Sequence, residues 1–144
     1  MLDRARILDL MDSALDARAR GDTDAMAGFL AQGATFRIAA DPGAQSALPA
    51  APTKAADVMH GIVELIRFHR WERLDTLVEG NRVAARLSID FSIGGGPVTT
   101  TETLDLWTFD DEGRITDILQ FVDTALLAEK VRGGSAGTGR ASPD

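Results

Sequence analysis

The sequence predicts an α+β domain, with three helices ahead of an antiparallel meander of four strands. Two observations carry this. As far as His69 the apolar residues recur mainly at helical spacing, and from Trp71 onward glycine-bearing turn signals separate strand-like runs. The two patterns are grouped, not alternating, which separates α+β from a parallel α/β sheet. A chain of 144 residues, 44% hydrophobic and 26% charged, fits one domain able to bury its own core.

Leu8, Met11 and Leu15 mark the first helix, with Asp9, Asp12, Asp16 and Arg18 placed on its other faces. Gly21 suits its C-cap, and Asp22 caps a second helix carrying Met26, Phe29 and Leu30. Gly33 ends that helix, and Ala34 to Ala39 reads as a short strand. The stretch 41–52 has three prolines and no periodicity, which predicts a loop of about a dozen residues, either a flap over a pocket or a plain surface loop. Thr53 caps a third helix with Val58, Ile62, Leu65, Ile66 and His69 along one face. Strands then follow, divided at Gly80-Asn81, at Gly94 to Pro97 and at Asp111 to Gly113. The domain spans 1–132, and the glycine-rich 133–144 reads as a flexible tail.

Turn length fixes register, and register fixes which side chains share a face. With those three turns Asp75 opposes Arg86, Arg86 opposes Asp105, Ser88 opposes Thr103, and Asp105 opposes Leu119. One face then gathers Trp71, Asp75, Arg86, Ser88, Asp90, Thr101, Thr103, Asp105, Trp107, Phe109, Ile115, Leu119, Phe121 and Asp123. The other gathers Leu74, Val78, Val83, Ala85, Leu87, Ile89, Leu104 and Leu106, with Arg114, Thr116 and Gln120 at a polar edge. Helices and pocket are expected on the first face. The aliphatic patch on the second predicts a homodimer through the outer sheet face.

Composition excludes some classes of function. The formal charge of -7, with basic residues dispersed, argues against nucleic-acid binding. No apolar run approaches a membrane span, and Asp3, Arg4, Arg6 and Asp9 interrupt any signal-peptide pattern, so the cytoplasm is the expected location. Cysteine is absent and neither His60 nor His69 has a ligand-spaced partner, so no metal site is expected. The triple glycine at 94–96 precedes a strand, which makes it a turn and not a phosphate cradle.

Three segments, Arg-Gly-Asp-Thr-Asp-Ala-Met from Arg20, Ala-Thr-Phe-Arg from Ala34 and Asp-Glu-Gly-Arg-Ile-Thr through Phe-Val-Asp from Asp111 to Asp123, carry a family resemblance. Over Leu2 to about Arg132 the chain resembles the nuclear transport factor 2-like superfamily, in its SnoaL-like and ketosteroid-isomerase-like branches. The resemblance implies a cone of curved, mostly antiparallel sheet wrapped around three helices, a cystatin-like α+β barrel with a ligand cavity. It implies a cofactor-independent acid/base enzyme of isomerase, cyclase, dehydratase or hydrolase type, acting on a small apolar or polyketide-like molecule. The alternative is a non-catalytic ligand-binding or dimeric assembly module. Asp123 matches the acid/base aspartate of the cyclases and the epoxide hydrolase. Arg86-Leu87-Ser88 keeps the arginine of the hydrolase's Arg-x-Asp but not the second aspartate, for which Asp90 is a substitute two residues on. Ile38 stands where the steroid isomerase has its base, and the chain has no tyrosine for that enzyme's oxyanion hole.

The candidate catalytic residues are therefore Asp123, Arg86 and Asp105. Phe36, His69, Trp71, Trp107, Leu119, Phe121, Ser88 and Asp90 are expected to line the substrate site. Five have a plainer reading: Asp123 as the cap of a helix at Thr124, Arg86 as a structural cross-strand ion pair, His69 as a core histidine, and Trp107 and Phe36 as core residues.

Overall fold

The computed structural model describes residues 1–39, 53–54 and 61–139; the proline-rich loop, Val58, His60 and the last five positions lie outside them. Helix α1 (Arg4–Arg20) starts where Asp3 accepts from the Arg6 amide at 2.8 Å. It ends at Gly21, whose φ of 72° is the left-handed conformation glycine adopts without strain. Asp22 caps α2 (Thr23–Gly28) by accepting from the Ala25 amide. Strand β1 (Leu30–Ala39) begins earlier than the helical spacing of Phe29 and Leu30 suggests, and Gly33 sits at an irregularity inside it rather than at a helix end.

Thr53, expected to cap a helix, lies in the two-residue β2 (Thr53–Lys54). Residues 61–65 are helical, and β3 (Ile66–Glu79) starts there, five positions before the expected Trp71. Then come β4 (Arg82–Ile93), β5 (Thr99–Phe109) and β6 (Ile115–Phe121). Helix α3 (Thr124–Gly139) closes the described chain, so the segment from Gly133 expected as a tail is helical through Gly139. The sheet order is β2-β1-β6-β5-β4-β3, antiparallel throughout except for the parallel β1–β6 pair.

Two register differences decide which face looks inward. The β4–β5 turn is tighter than expected: Gly94 and Gly95 both have positive φ, and the Gly96 amide donates to the Ile93 carbonyl at 2.9 Å. Arg86 therefore opposes Leu104, and Ala85 opposes Asp105, a shift of one residue that exchanges the faces of β4. Between β5 and β6 the Phe109–Ile115 pair forms as the turn requires. A bulge then leaves Thr116 unpaired, so that Trp107 opposes Ile118 and Asp105 opposes Gln120.

The inner face consequently holds Val83, Ala85, Leu87, Ile89 and Phe91 of β4 with Thr103, Asp105, Trp107 and Phe109 of β5. Ile7, Met11, Ala14 and Leu15 of α1 pack into the same core, which is the amphipathic stripe of that helix turned toward the sheet. The aliphatic residues of β4 expected on the outside are thus core. No helix among the described residues is long and apolar enough to cross a membrane.

Gly113 closes the β5–β6 hairpin at φ 88°, and a Cβ there would stand 3.1 Å from Leu10 Cδ1 of α1. Gly113→Ala should lower stability by about 1–3 kcal/mol, read from urea unfolding, because strain and crowding add. An unchanged midpoint would contradict this placement of the hairpin against α1.

Candidate functional site

A hollow lies on the inner face of the sheet. Its floor is Thr101, Thr103, Asp105 and Trp107 of β5 with Ile118 and Gln120 of β6; its walls include Leu15, Arg18, Met26, Phe36, Ile66, Phe68, Ile89, Phe91 and Asp123. Strand alternation explains the floor: Thr103, Asp105 and Trp107 are two apart on β5 and so share one face.

Asp105 is the polar centre of this floor. It is only 2% exposed. Its Oδ1 accepts from Thr103 Oγ1 at 3.1 Å and from Gln120 Nε2 at 3.1 Å, and its Oδ2 accepts from Trp107 Nε1 at 3.1 Å. All these donors are neutral. Burial pushes the Asp105 carboxyl up to about 6, against the downward pull of the hydrogen bonds from Trp107, Gln120 and Thr103. Dehydration of the charge outweighs its partners because no cation is among them.

Asp123 stands at the end of β6, exposed, and its Oδ1 accepts from the Leu126 amide at 3.0 Å. It caps α3 and lines the hollow at once. Phe36, Asp105, Trp107 and Asp123 are the expected site residues that the structure brings together.

The others lie elsewhere. Arg86 is on the outer face, held by Glu102 at 2.7 Å and Asp75 at 3.2 Å; the expected Asp75 pairing forms, but Asp105 is replaced by Glu102 because of the one-residue shift. Asp90 is also outside, accepting from Arg70 Nε at 2.9 Å and Thr100 Oγ1 at 2.6 Å, and Arg70 Nη2 donates to Ser88 Oγ at 3.1 Å. The bulge at Thr116 turns Leu119 and Phe121 outward, opposite Leu106 and Leu104. His69 sits on β3 rather than a helix, at a bulge beyond inward-facing Phe68, and meets Ser92 Oγ at 2.7 Å. Trp71 reaches α1, where its Nε1 donates to Asp16 Oδ1 at 3.0 Å, outside the hollow's lining.

Arg18 and Gln120 are the functional candidates missed. Gln120, expected on the outer face, is turned inward two residues after Ile118 by the bulge at Thr116. Arg18 continues the stripe Ile7, Met11, Ala14 at helical steps, so counting turns of α1 would have put it on the core face.

These observations stand beside known proteins as follows. The sequence profile of the SnoaL-like domain matches residues 11–118, and the chain belongs to that family. No curated protein matches the sequence. Several solved structures are similar. An NTF2-like protein of unknown function from Burkholderia pseudomallei has a TM-score of 0.68 at 13% identity, over 88% of this chain and 97% of its own. TerC, co-crystallised with polyporic acid, has a TM-score of 0.68 at 14% identity, over 88% and 98%. An LEH-like epoxide hydrolase from M. tuberculosis has a TM-score of 0.65 at 15% identity, over 91% and 92%. At these identities the likeness is one of fold. The fold is the NTF2-like cone of mixed α and β structure; the element order indicated the α+β class, and the family resemblance implied the cone. Among the described residues no group of His, Cys, Asp and Glu side chains is placed to hold a metal.

The raised Asp105 carboxyl makes stability depend on pH. Its ordinary value is 3.8 and its folded value about 6, so between them the folded chain binds more protons than the unfolded. Its stabilising contribution is full below pH ~4 and is lost as pH rises through ~6, a difference of about 3 kcal/mol by pH 8. Asp105→Asn removes that charge, and the Thr103 hydroxyl can turn to accept from the new amide. The variant should melt above wild type at pH 8, with the gain vanishing toward pH 4 in paired thermal scans.

Proposed function

We propose that this protein is a cofactor-independent acid/base enzyme acting on a small, mostly apolar, polyketide-like molecule held in the hollow. The observation that carries this reading is Asp105, a carboxyl buried among apolar walls, with its titration moved up to about 6. A group titrating near the working pH is suited to take a proton and to return it. At neutral pH Asp105 serves as the base, with Thr103, Trp107 and Gln120 fixing its orientation. Once protonated it donates to oxygen, as a carboxylic acid in an apolar site is able to do. Asp123 is the second carboxyl of the site, at its edge. Support of a coarser kind comes from the SnoaL-like family and from similarly folded proteins described with polyporic acid and as an epoxide hydrolase.

The reaction class follows from the groups present: proton transfer at carbon or at water, serving isomerisation, cyclisation, dehydration or hydrolysis. One observation favours the alternative of a binding module: both oxygens of Asp105 already accept hydrogen bonds inside the protein. Deuterium exchange separates the two. Wild type in D2O should speed exchange of the acidic C–H groups of 2-tetralone or 1-phenyl-1,3-butanedione, followed by NMR, with an acid limb near pH 6. Asp105→Asn should lower the rate about 10²–10⁴-fold, and Asp123→Asn less. Equal rates in wild type and Asp105→Asn, or no acceleration of either ketone or of styrene oxide hydrolysis, would leave the binding module.

The reading includes a homodimer through the outer sheet face. Its support is narrower than the sequence suggests, because the β4 aliphatics point inward. What faces outward is Leu104 and Leu106 of β5 against Phe121 and Leu119 of β6, with Leu104 and Phe121 each 48% exposed, and Leu77 of β3, 75% exposed. Phe121→Glu should shift sedimentation from dimer to monomer without loss of fold. A wild type that sediments as a monomer at high concentration would refute the pairing.

A further inference from the structure

Arg18 is a cation that neither the core nor the proposed chemistry of Asp105 uses. It projects from the last turn of α1 into the packed interior, is 6% exposed, and lines the hollow. Its Nη1 is buried with no hydrogen-bond partner among the described residues. One face of the guanidinium rests on the Phe68 ring, 4.1 Å from the centroid.

The carboxylates nearest in function are otherwise engaged. Asp105 receives Thr103, Trp107 and Gln120, and Asp123 Oδ1 receives the Leu126 amide. No ion pair among the described residues includes Arg18. The guanidinium of Arg67 lies close to the C-terminal end of α1, where a Cβ on Gly21 would stand 2.9 Å from its Nη1, and it adds positive charge rather than relieving it. Burial first, and Arg67 second, push Arg18 down to about 9, so it stays cationic at neutral pH.

We infer that the hollow receives its ligand by an anionic oxygen, a carboxylate or the enolate of an acidic enol, seated on the Arg18 guanidinium. The inference rests on the reading of the hollow as a small-molecule site and narrows the ligand class. A neutral carbonyl would satisfy the orphaned N–H but leave the charge uncompensated; an anion answers both. A planar guanidinium offers paired donors that match the two oxygens of a carboxylate. Phe68, Phe91, Ile89 and Trp107 supply apolar surface for the remainder of the molecule.

The test is calorimetric titration at pH 7.5 with matched anionic and neutral probes. These are benzoate against benzamide, 2-naphthoate against 2-naphthamide, and 2-hydroxy-1,4-naphthoquinone against its 2-methyl analogue. Wild type should prefer the anion of at least one pair tenfold or more. Arg18→Met should lose that preference while still binding the neutral member, and Arg18→Lys should keep part of it. Preference confined to the naphthoate pair marks a carboxylate ligand, and preference confined to the quinone pair marks an enolate. Arg18→Met, freed of a buried unpaired charge, should melt no lower than wild type without ligand, which shows that lost binding is not lost folding.

No anion preference in any pair, or a preference that survives in Arg18→Met, overturns the inference. Asp105→Asn separates it from the catalytic reading, because that variant should lose proton exchange and keep the anion preference. Exchange lost in Asp105→Asn with no anion preference in wild type would sink the Arg18 site alone. Preference present with exchange unchanged would sink the catalytic reading alone.

Discussion

The register of β4 on β5 is the constraint on which the site depends. It places Ala85, not Arg86, opposite Asp105. Had the strands paired one residue further along, a guanidinium would stand beside the carboxylate and hold its pKa low, and the floor would be a structural ion pair. With alanine opposite and Arg86 turned to Glu102 and Asp75 on the outside, Asp105 meets neutral donors and dehydration decides its titration. The geometry that sets this register is small: two consecutive glycines at positive φ, which let Gly96 close a tight turn onto Ile93.

A second irregularity completes the floor. The unpaired Thr116 in β6 turns Gln120 inward, where its amide reaches Asp105 from the neighbouring strand. Thr103 and Trp107 come from Asp105's own strand at two-residue steps, and Gln120 comes from across the ladder. The carboxyl is therefore held from two strands of one sheet, a rigid mount for a group whose orientation matters. The same bulge sends Leu119 and Phe121 to the outer face. One extra residue thus determines both the polarity of the floor and the apolar character of the outside.

Grouped helices and strands, the Gly21 and Asp22 caps, the Asp75–Arg86 pairing and the inward face of β5 were all legible in the sequence, because each depends on local chemistry or on one short turn. Asp105 and Trp107 follow from that face of β5, whereas Asp123 reaches the hollow from beyond the end of β6, as the cap of α3, and not through the expected register with Leu119 and Phe121. Errors entered where parity passed through an ambiguous turn. Four residues from Gly94 to Pro97 fit a four-residue loop as well as a two-glycine turn with a slip, and a single step reverses every side chain of β4. The bulges at His69, Leu74 and Thr116 have no composition of their own, since any residue serves as the extra one. His69 was misplaced because Ile62, Leu65 and Ile66 continue a helical pattern into what is already strand. Arg18 was misread from its charge, although its spacing put it in the core.

Arg18 also bears on why the hollow is not simply filled. The favourable contacts the structure gives this cation are modest: the C-terminal end of α1 offers about 0.3–1 kcal/mol, and the Phe68 face about 0.5–2. Removing a guanidinium from water costs several kcal/mol, so those contacts do not cover it. Asp105 carries a penalty of the same kind at neutral pH. A core selected for stability alone would bring the two charges together or replace both by leucine. Here they are kept apart in one cavity, each short of an oppositely charged partner, and that separation leaves a positive and a negative group for a third party to bridge. The cost is local and shared by two residues of opposite sign, and on the proposed reading a polar ligand in the hollow is what offsets it.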